Sequence, residues 1–269
     1  MILASEDCDL TQTTVCAPTE VTELFEFREV IFKVLGFPVT RTVVLIWLVA
    51  VIVVTLVFFG LRRQAIQPGK FQVAIESLMG FVRDEVAIGI IGPEGIKYFP
   101  YLLSLFLFIL IGNFFEVTPF INFPVTSRMA IPLFLALVTY VIFISAGFRR
   151  QGLRYLGDIL WPPGVPLALK WLVGIIEFFS IFFIRPFSLA VRLFANLVAG
   201  HVMLTVLLVT GVVALSSFDT LGAKALFGIG WWVIGLLIFM FEVIVIVLQA
   251  YIFTLLSAVY IETSLHPQH

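Results

Sequence analysis

Residues 225–261 read ALFGIGWWVIGLLIFMFEVIVIVLQAYIFTLLSAVYI, 37 positions holding one charged residue, Glu242. A helix this apolar has no face to offer water, so it is either a buried core helix or a membrane helix. At about 1.5 Å per residue it measures about 55 Å, against a hydrocarbon core of about 30 Å. Gly228, Gly230 and Gly235 weaken its start, but nothing breaks it before Pro267. It is therefore expected to tilt steeply or to lie partly in the membrane plane. Four further stretches, 42–61, 98–115, 129–148 and 193–218, contain no Asp, Glu, Lys or Arg, and each is long enough to span. Composition agrees: of 269 residues 61% are hydrophobic and 12% charged, with a mean hydropathy of +1.13. A soluble domain carries roughly 25% charged residues, so a water-soluble protein is excluded. The net charge of −1 says nothing about partners.

The expected fold is an all-α polytopic membrane protein. It has five membrane-crossing helices plus an interfacial amphipathic helix, the last two spans being long, steeply tilted and paired as an antiparallel hairpin. Residues 1–40 form an acidic external tail with an amphipathic piece around 21–35, and 41–269 form a single membrane domain. The spans are about 42–61, 96–116, 129–147, 167–213 and 224–262. The interfacial helix covers about 70–88, where Phe71, Ile75, Leu78, Val82 and Val86 make one apolar stripe and Gln72, Glu76, Arg83 and Asp84 lie off it. Asn113 and Glu116 stand where the second span exits, and read as an interfacial cap. Pro186 should kink the fourth span rather than end it. No internal repeat is present. The two cysteines, Cys8 and Cys16, both lie in the tail. They form a disulfide if the tail faces an oxidising side, or stand as two thiols. The first 20 residues contain no apolar core of a secretory signal. Basic residues number five in loop 62–97 and four in loop 148–170, but one in loop 118–128 and three among seven acids in the tail 1–41. That bias puts the N-terminus outside and the C-terminus inside.

Ionisable groups at membrane depth are rare and usually functional. Here they are Glu177, Arg192, His201 and Glu242, with Ser188, Asn196, Gln249 and Tyr251 as hydrogen-bonding company. Arg192 is the most demanding, because a guanidinium stays charged and costs about 2.5–3.5 kcal/mol at the bilayer centre on insertion scales. If the last two segments turn near residue 221, positions equally far from the turn share a depth. Arg192 then falls level with Gln249, and His201 with Glu242 nearer the outside. A duller reading exists for each: Arg192 pairs with a carboxylate, His201 and Glu242 form a structural pair, and Glu177 sits at the inner interface. A His and a Glu leading to a buried cation also make a proton path, since imidazole titrates near neutrality and burial raises a carboxyl towards it.

SLAVRLFANLVAGH at 188–201 and LQAYIFTLLSAVYI at 248–261 resemble subunit a of the F-type ATP synthase, as do PGKFQVAIESLMGFV at 68–82 and the Asn113 end of the second span. The resemblance covers about 42–262 and is weak in the tail and in 150–166. It implies a proton-translocating stator subunit whose hairpin packs on a ring of proteolipid c subunits, with the subunit b peripheral stalk, the rest of the complex and membrane lipid as partners. It implies no nucleic acid, cofactor or metal. Arg192 matches the family's essential arginine. His201, Glu242, Asn196 and Gln249 match its outer half-channel, with acid and imidazole exchanged between the two arms relative to some members. Glu177 and Ser188 belong to the inner half-channel. The family's glutamate stands 14 residues before the arginine and Glu177 stands 15 before, an extra residue that a local bulge near Pro186 would absorb. A bacterial plasma membrane is the expected location. The rival reading is a proton-coupled secondary transporter in which Arg192 binds an anionic substrate, but such folds carry repeats or discontinuous helices.

Overall fold

The computed structural model describes residues 16, 30–34, 37–62, 69–118, 124–161, 167–217 and 222–266. A two-stranded antiparallel hairpin, β1 (Val30–Val34) and β2 (Phe37–Thr40), leads into the first helix. The amphipathic piece expected around 21–35 is therefore a strand where it is described, and residues 17–29 lie outside the described residues. Branched and aromatic residues in VIFKV favour extended pairing over helix. Helices follow as α1 (Arg41–Arg62), α2 (Lys70–Phe81), α3 (Gly89–Ile91), α4 (Phe99–Val117), α5 (Ala130–Gln151), α6 (Arg154–Leu160), α7 (Leu167–Phe179), α8 (Arg185–Ser216) and α9 (Phe227–Leu265). Two π-helical segments, Val82–Ile88 and Ser180–Ile184, join α2 to α3 and α7 to α8. Among the described residues five helical segments are long and apolar enough to cross a membrane: Arg41–Phe59, Phe99–Val117, Ala130–Gln151, Leu169–Ser216 and Phe227–Leu265. The chain is an all-α polytopic membrane protein, as composition requires.

Helix α4 packs between α1 and α9. Apolar around most of its circumference, it is buried over more than one face, with Leu102, Leu103, Leu105, Phe106, Leu107 and Ile109 all buried and Phe114 left exposed. Helices α1 and α9 pack along it, α9 in turn packs on α8 and α5, and the outer faces of α1 and α9 keep large apolar side chains such as Trp47, Val54, Leu237 and Met240 uncovered. Such a surface suits lipid, not water. The apolar stripe of 70–88 is not uniformly interfacial. Phe71 in α2 is 66% exposed, whereas Val82 and Val86 in the π-segment are fully buried, and Phe81 packs on Tyr251 of α9 with ring centroids 5.6 Å apart. The second half of that helix belongs to the bundle.

The end of the molecule near Ser216 and Gly222, where α8 turns into α9, is called the turn end below; the other is the open end. At the turn end, disulfide-bonded Cys16 donates its backbone N–H to Thr210 Oγ1 (2.9 Å) and packs with Val209 and Val213. Cys8 lies outside the described residues. At the open end Arg150 forks onto Glu94 (2.6 and 2.8 Å), and Tyr155 and Gln151 reach Ser264 of α9.

Candidate functional site

The site is built on the antiparallel pair α8–α9. Near the turn end the two backbones touch: a Cβ on Gly228 would lie 3.0 Å from the Gly211 carbonyl oxygen, and one on Gly211 3.2 Å from that of Gly228. Of the three glycines expected to weaken α9, Gly228 and Gly235 are thus where it meets α8, whereas Gly230 has open space beside it; none delays the start of the helix at Phe227. Further along, Asn196 Nδ2 donates to Gln249 Oε1 at 2.9 Å. Towards the open end, Arg185 Nη1 donates to Thr263 Oγ1 at 3.3 Å. Gln249 therefore partners Asn196, one turn from Arg192, the residue that equal counting from the turn puts beside it. Helices that cross at an angle slide their facing pairs along their axes, and a count that assumes parallel rods misses the slide.

The largest departure from expectation is Glu116. At 2% exposure it is no interfacial cap; it points into the bundle from α4, with its Oε1 3.6 Å from His201 Nδ1. That is an ion-pair distance but too long for a hydrogen bond. His201 itself is 5% exposed and Glu242 3%. Glu242 lies against Gly200, whose missing side chain makes the room: a Cβ there would collide with the whole carboxylate. So α4, α8 and α9 each contribute one group to a buried set of two carboxyls and an imidazole. One helical turn back, Asn113 accepts from Thr126 Oγ1 at 2.5 Å, which ties the loop before α5 to α4. The signal for Glu116 was present in the sequence: Asn113 and Glu116 are three apart and share one face of an otherwise apolar run.

Among the described residues six buried side-chain polar atoms have no hydrogen-bond partner: Thr42 Oγ1, both oxygens of Glu116, Ser127 Oγ, Gln151 Oε1 and Gln249 Nε2. All but Gln151 belong to the helices and loop around the Glu116 set or to the Asn196–Gln249 contact beside it. Buried polar atoms are seldom left without partners, so this concentration marks a place that water or protons can occupy.

Arg192 stands apart. It lies on the uncovered face of α8 with Ala195, Asn196 and Ala199, while Leu189, Leu193 and Leu197 on the other side are buried. Among the described residues it makes no hydrogen bond or ion pair. Beside it the same face forms a shallow apolar groove along Phe194, Val198 and Val202. Ser188, one turn earlier, and Glu177, on α7, are half-buried. Between Glu177 and Arg192 runs the π-segment Ser180–Ile184. A π-turn takes up one residue more than an α-turn, so the 15-residue spacing covers the phase of one residue fewer in an unbroken helix.

Residues 43–262 match the model of the family described as ATP synthase A chain. The chain belongs to this family. Its relatives named ATP synthase subunit a include that of Frankia alni, 40% identical over 230 residues that cover 82% of this chain and 75% of that protein. Another is that of Rhodococcus erythropolis, 36% identical over 86% of this chain and 84% of the relative. The protein of Gluconacetobacter diazotrophicus is 37% identical over 82% and 86% respectively. The segments absent from the family match are the tail and the last residues, so Glu116, Glu177, Ser188, Arg192, Asn196, His201, Glu242 and Gln249 all fall within it.

Proposed function

We propose that this chain is the proton-translocating stator subunit in the membrane sector of a rotary ATP synthase, and that Arg192 separates two offset half-channels facing a ring of c subunits. The observation that carries the reading is Arg192 itself: a permanent cation on a lipid-soluble, uncovered helix face, with no partner of its own among the described residues. A cation so placed calls for an anion from outside the chain. A ring of subunits that each bring one carboxylate past this face supplies it repeatedly. Membership of the ATP synthase A chain family supports the same conclusion.

The turn end is the outer half-channel. A proton taken up by the Glu116 carboxylate passes to His201 and from there to Glu242, the 3.6 Å between Glu116 and the imidazole being closed by a small motion or one water. It then reaches the rotor carboxylate near the Asn196–Gln249 pair. A neutral, protonated carboxyl leaves Arg192 and moves through lipid; an ionised one is drawn back to it. Glu177 and Ser188 line the inner half-channel, where the proton leaves. A membrane potential contributes about 2.3 kcal/mol per charge per 100 mV to the transfer. Subunit b and the remaining complex hold the chain still against the ring. In this reading the chain sits in a bacterial plasma membrane with the open end and C-terminus inside and the N-terminus outside, an orientation that the excess of Lys and Arg in the loops 62–97 and 148–170 supports.

Arg192→Ala tests this in membrane vesicles carrying the whole complex. The complex should assemble and its soluble part hydrolyse ATP, with ATP-driven proton pumping abolished. Arg192→Lys should fail nearly as badly, because a desolvated ammonium can lose its proton and lacks the planar fork. Normal coupled pumping by Arg192→Ala would sink the reading.

A further inference from the structure

A second cation in the same helix has no part in that mechanism. Arg185 opens α8 and is half-buried, yet no carboxylate lies within ion-pair distance of it among the described residues. Its hydrogen bond and its cation–π contact are both with the open-end part of α9: Nη1 donates to Thr263 Oγ1 at 3.3 Å, and its Cζ sits 5.4 Å from the centre of the Tyr260 ring. We infer that Arg185 is a positioning residue for Arg192, a clasp that sets the rotational phase of α8 at which Arg192 faces outward. This rests on the half-channel reading above.

The need for a clasp follows from the backbone. The π-segment Ser180–Ile184 departs from the regular i→i−4 ladder, and Pro186, directly after Arg185, has no N–H to contribute. The main chain runs on through this segment, the Arg185 N–H donating to the Ser180 carbonyl, but its wider turn leaves side chains to complete the phase of α8 relative to α7. On the α5 side they do: Ile181 is buried, and Phe182 packs on Tyr140 with centroids 6.2 Å apart. On the α9 side the anchor is Arg185. Seven residues are just under two full turns and eleven just over three, so Arg185, Arg192 and Asn196 fall on one stripe of α8. Two hydrogen bonds to α9 thus bracket Arg192, Arg185 to Thr263 before it and Asn196 to Gln249 after it. The stripe is held to α9 at both ends and left open at Arg192. Arginine suits the lower bracket because its planar fork can hydrogen-bond Thr263 while its face lies over Tyr260.

The test uses the whole complex in sealed vesicles, with ATP-driven pumping and passive proton conductance normalised to assembled complex. Misplacing a reacting group by about 1 Å can cost as much as a hundredfold in rate. Arg185→Ala should accordingly lower pumping by about tenfold or more per complex. ATP hydrolysis by the soluble part should persist. Arg185→Lys, which keeps the charge over the Tyr260 ring and one donor, should recover most of the flux. The double variant Arg185→Ala with Thr263→Val should be no worse than Arg185→Ala alone, since both remove one clasp. If Arg185→Ala does not assemble, Thr263→Val carries the test, because at constant shape it removes the acceptor of the Arg185 hydrogen bond, together with the hydroxyl's own bond to the Tyr260 carbonyl within α9, and should still slow pumping severalfold. Normal pumping by Arg185→Ala or by Thr263→Val, equal failure of Arg185→Lys and Arg185→Ala, or additive losses in the double variant would each overturn the clasp. Arg192→Ala in parallel separates the two ideas. If it is silent while Arg185→Ala pumps normally, the clasp alone is wrong; if it pumps normally, the half-channel reading has failed first.

Discussion

Gly200→Ala places one methyl where the structure has none to spare. A Cβ at this position would meet both oxygens and the carboxyl carbon of Glu242. Because these atoms are the far end of a flexible side chain, the carboxylate swings aside and the backbone need not. Overpacking of this kind costs about 1–3 kcal/mol. Replacing glycine by alanine inside a helix returns about 1 kcal/mol. The net loss of stability is then about 0–2 kcal/mol, and the subunit should still assemble. Function should suffer far more, because Glu242 is displaced from its place beside the His201 turn by more than the roughly 1 Å at which proximity losses reach tenfold to a hundredfold. The assay is ATP-driven acidification of vesicles, normalised to assembled complex. A second variant makes the reasoning specific: Glu242→Asp shortens the side chain by one methylene and withdraws the carboxylate from the new methyl. Gly200→Ala with Glu242→Asp should pump better than Gly200→Ala alone. Unimpaired pumping by Gly200→Ala, or no gain from the shorter acid, refutes the argument that Gly200 exists to seat Glu242.

Glu116→Gln keeps the shape of a residue whose oxygens have no hydrogen-bond partner, so the complex should assemble and pump slowly; loss of assembly with normal flux in whatever survives would make Glu116 a purely structural partner of His201. At the open end the hydrogen bonds from Arg150 hold the Glu94 carboxyl below its usual range, against a smaller opposing effect of desolvation. A depressed acid stabilises above its unfolded pKa and loses that contribution as pH falls through the folded value. Thermal denaturation should therefore show wild type ahead of Glu94→Gln at neutral pH and level with it in acid below the ordinary glutamate range, with salt shrinking the gap. With Asn196→Cys fixed, short-range cross-linking scanned along 242–252 should peak at 249 and repeat with helical period; a peak two turns away means the two arms do not pair as described.

The tail and the buried acid show two different ways in which a sequence reading falls short. In the tail, an amphipathic pattern was visible at 21–35, but the choice between helix and strand depended on pairing with Phe37–Thr40, a partner that periodicity within one segment does not name. At Glu116 the residue lies where an apolar run ends, and the end of a run coincides with the membrane surface when nothing else is known. What buries it is the loop from Pro124 to Ser127, itself buried against α4 and α8, which extends the enclosed region past the end of the helix. Glycines carry the same lesson. Gly200, Gly211 and Gly228 register in sequence only as poor helix formers, and in space they are points where a carboxylate or a second backbone comes close.

Sequence by itself determined that the chain lives in a membrane, that five of its helical segments are long and apolar enough to cross, and that its last two helices fold back on each other. Hydrocarbon tolerates so few arrangements of charge and backbone that composition and spacing decide these points. Tertiary structure alone decided the neighbours: Glu116 for His201, Asn196 for Gln249, Thr263 and Tyr260 for Arg185, and an uncovered face for Arg192. Distance along a helix axis can be counted from a sequence, but rotational phase cannot once π-turns are inserted and glycines let helices cross closely. Phase, through the crossing of α8 and α9, selects which side chains meet.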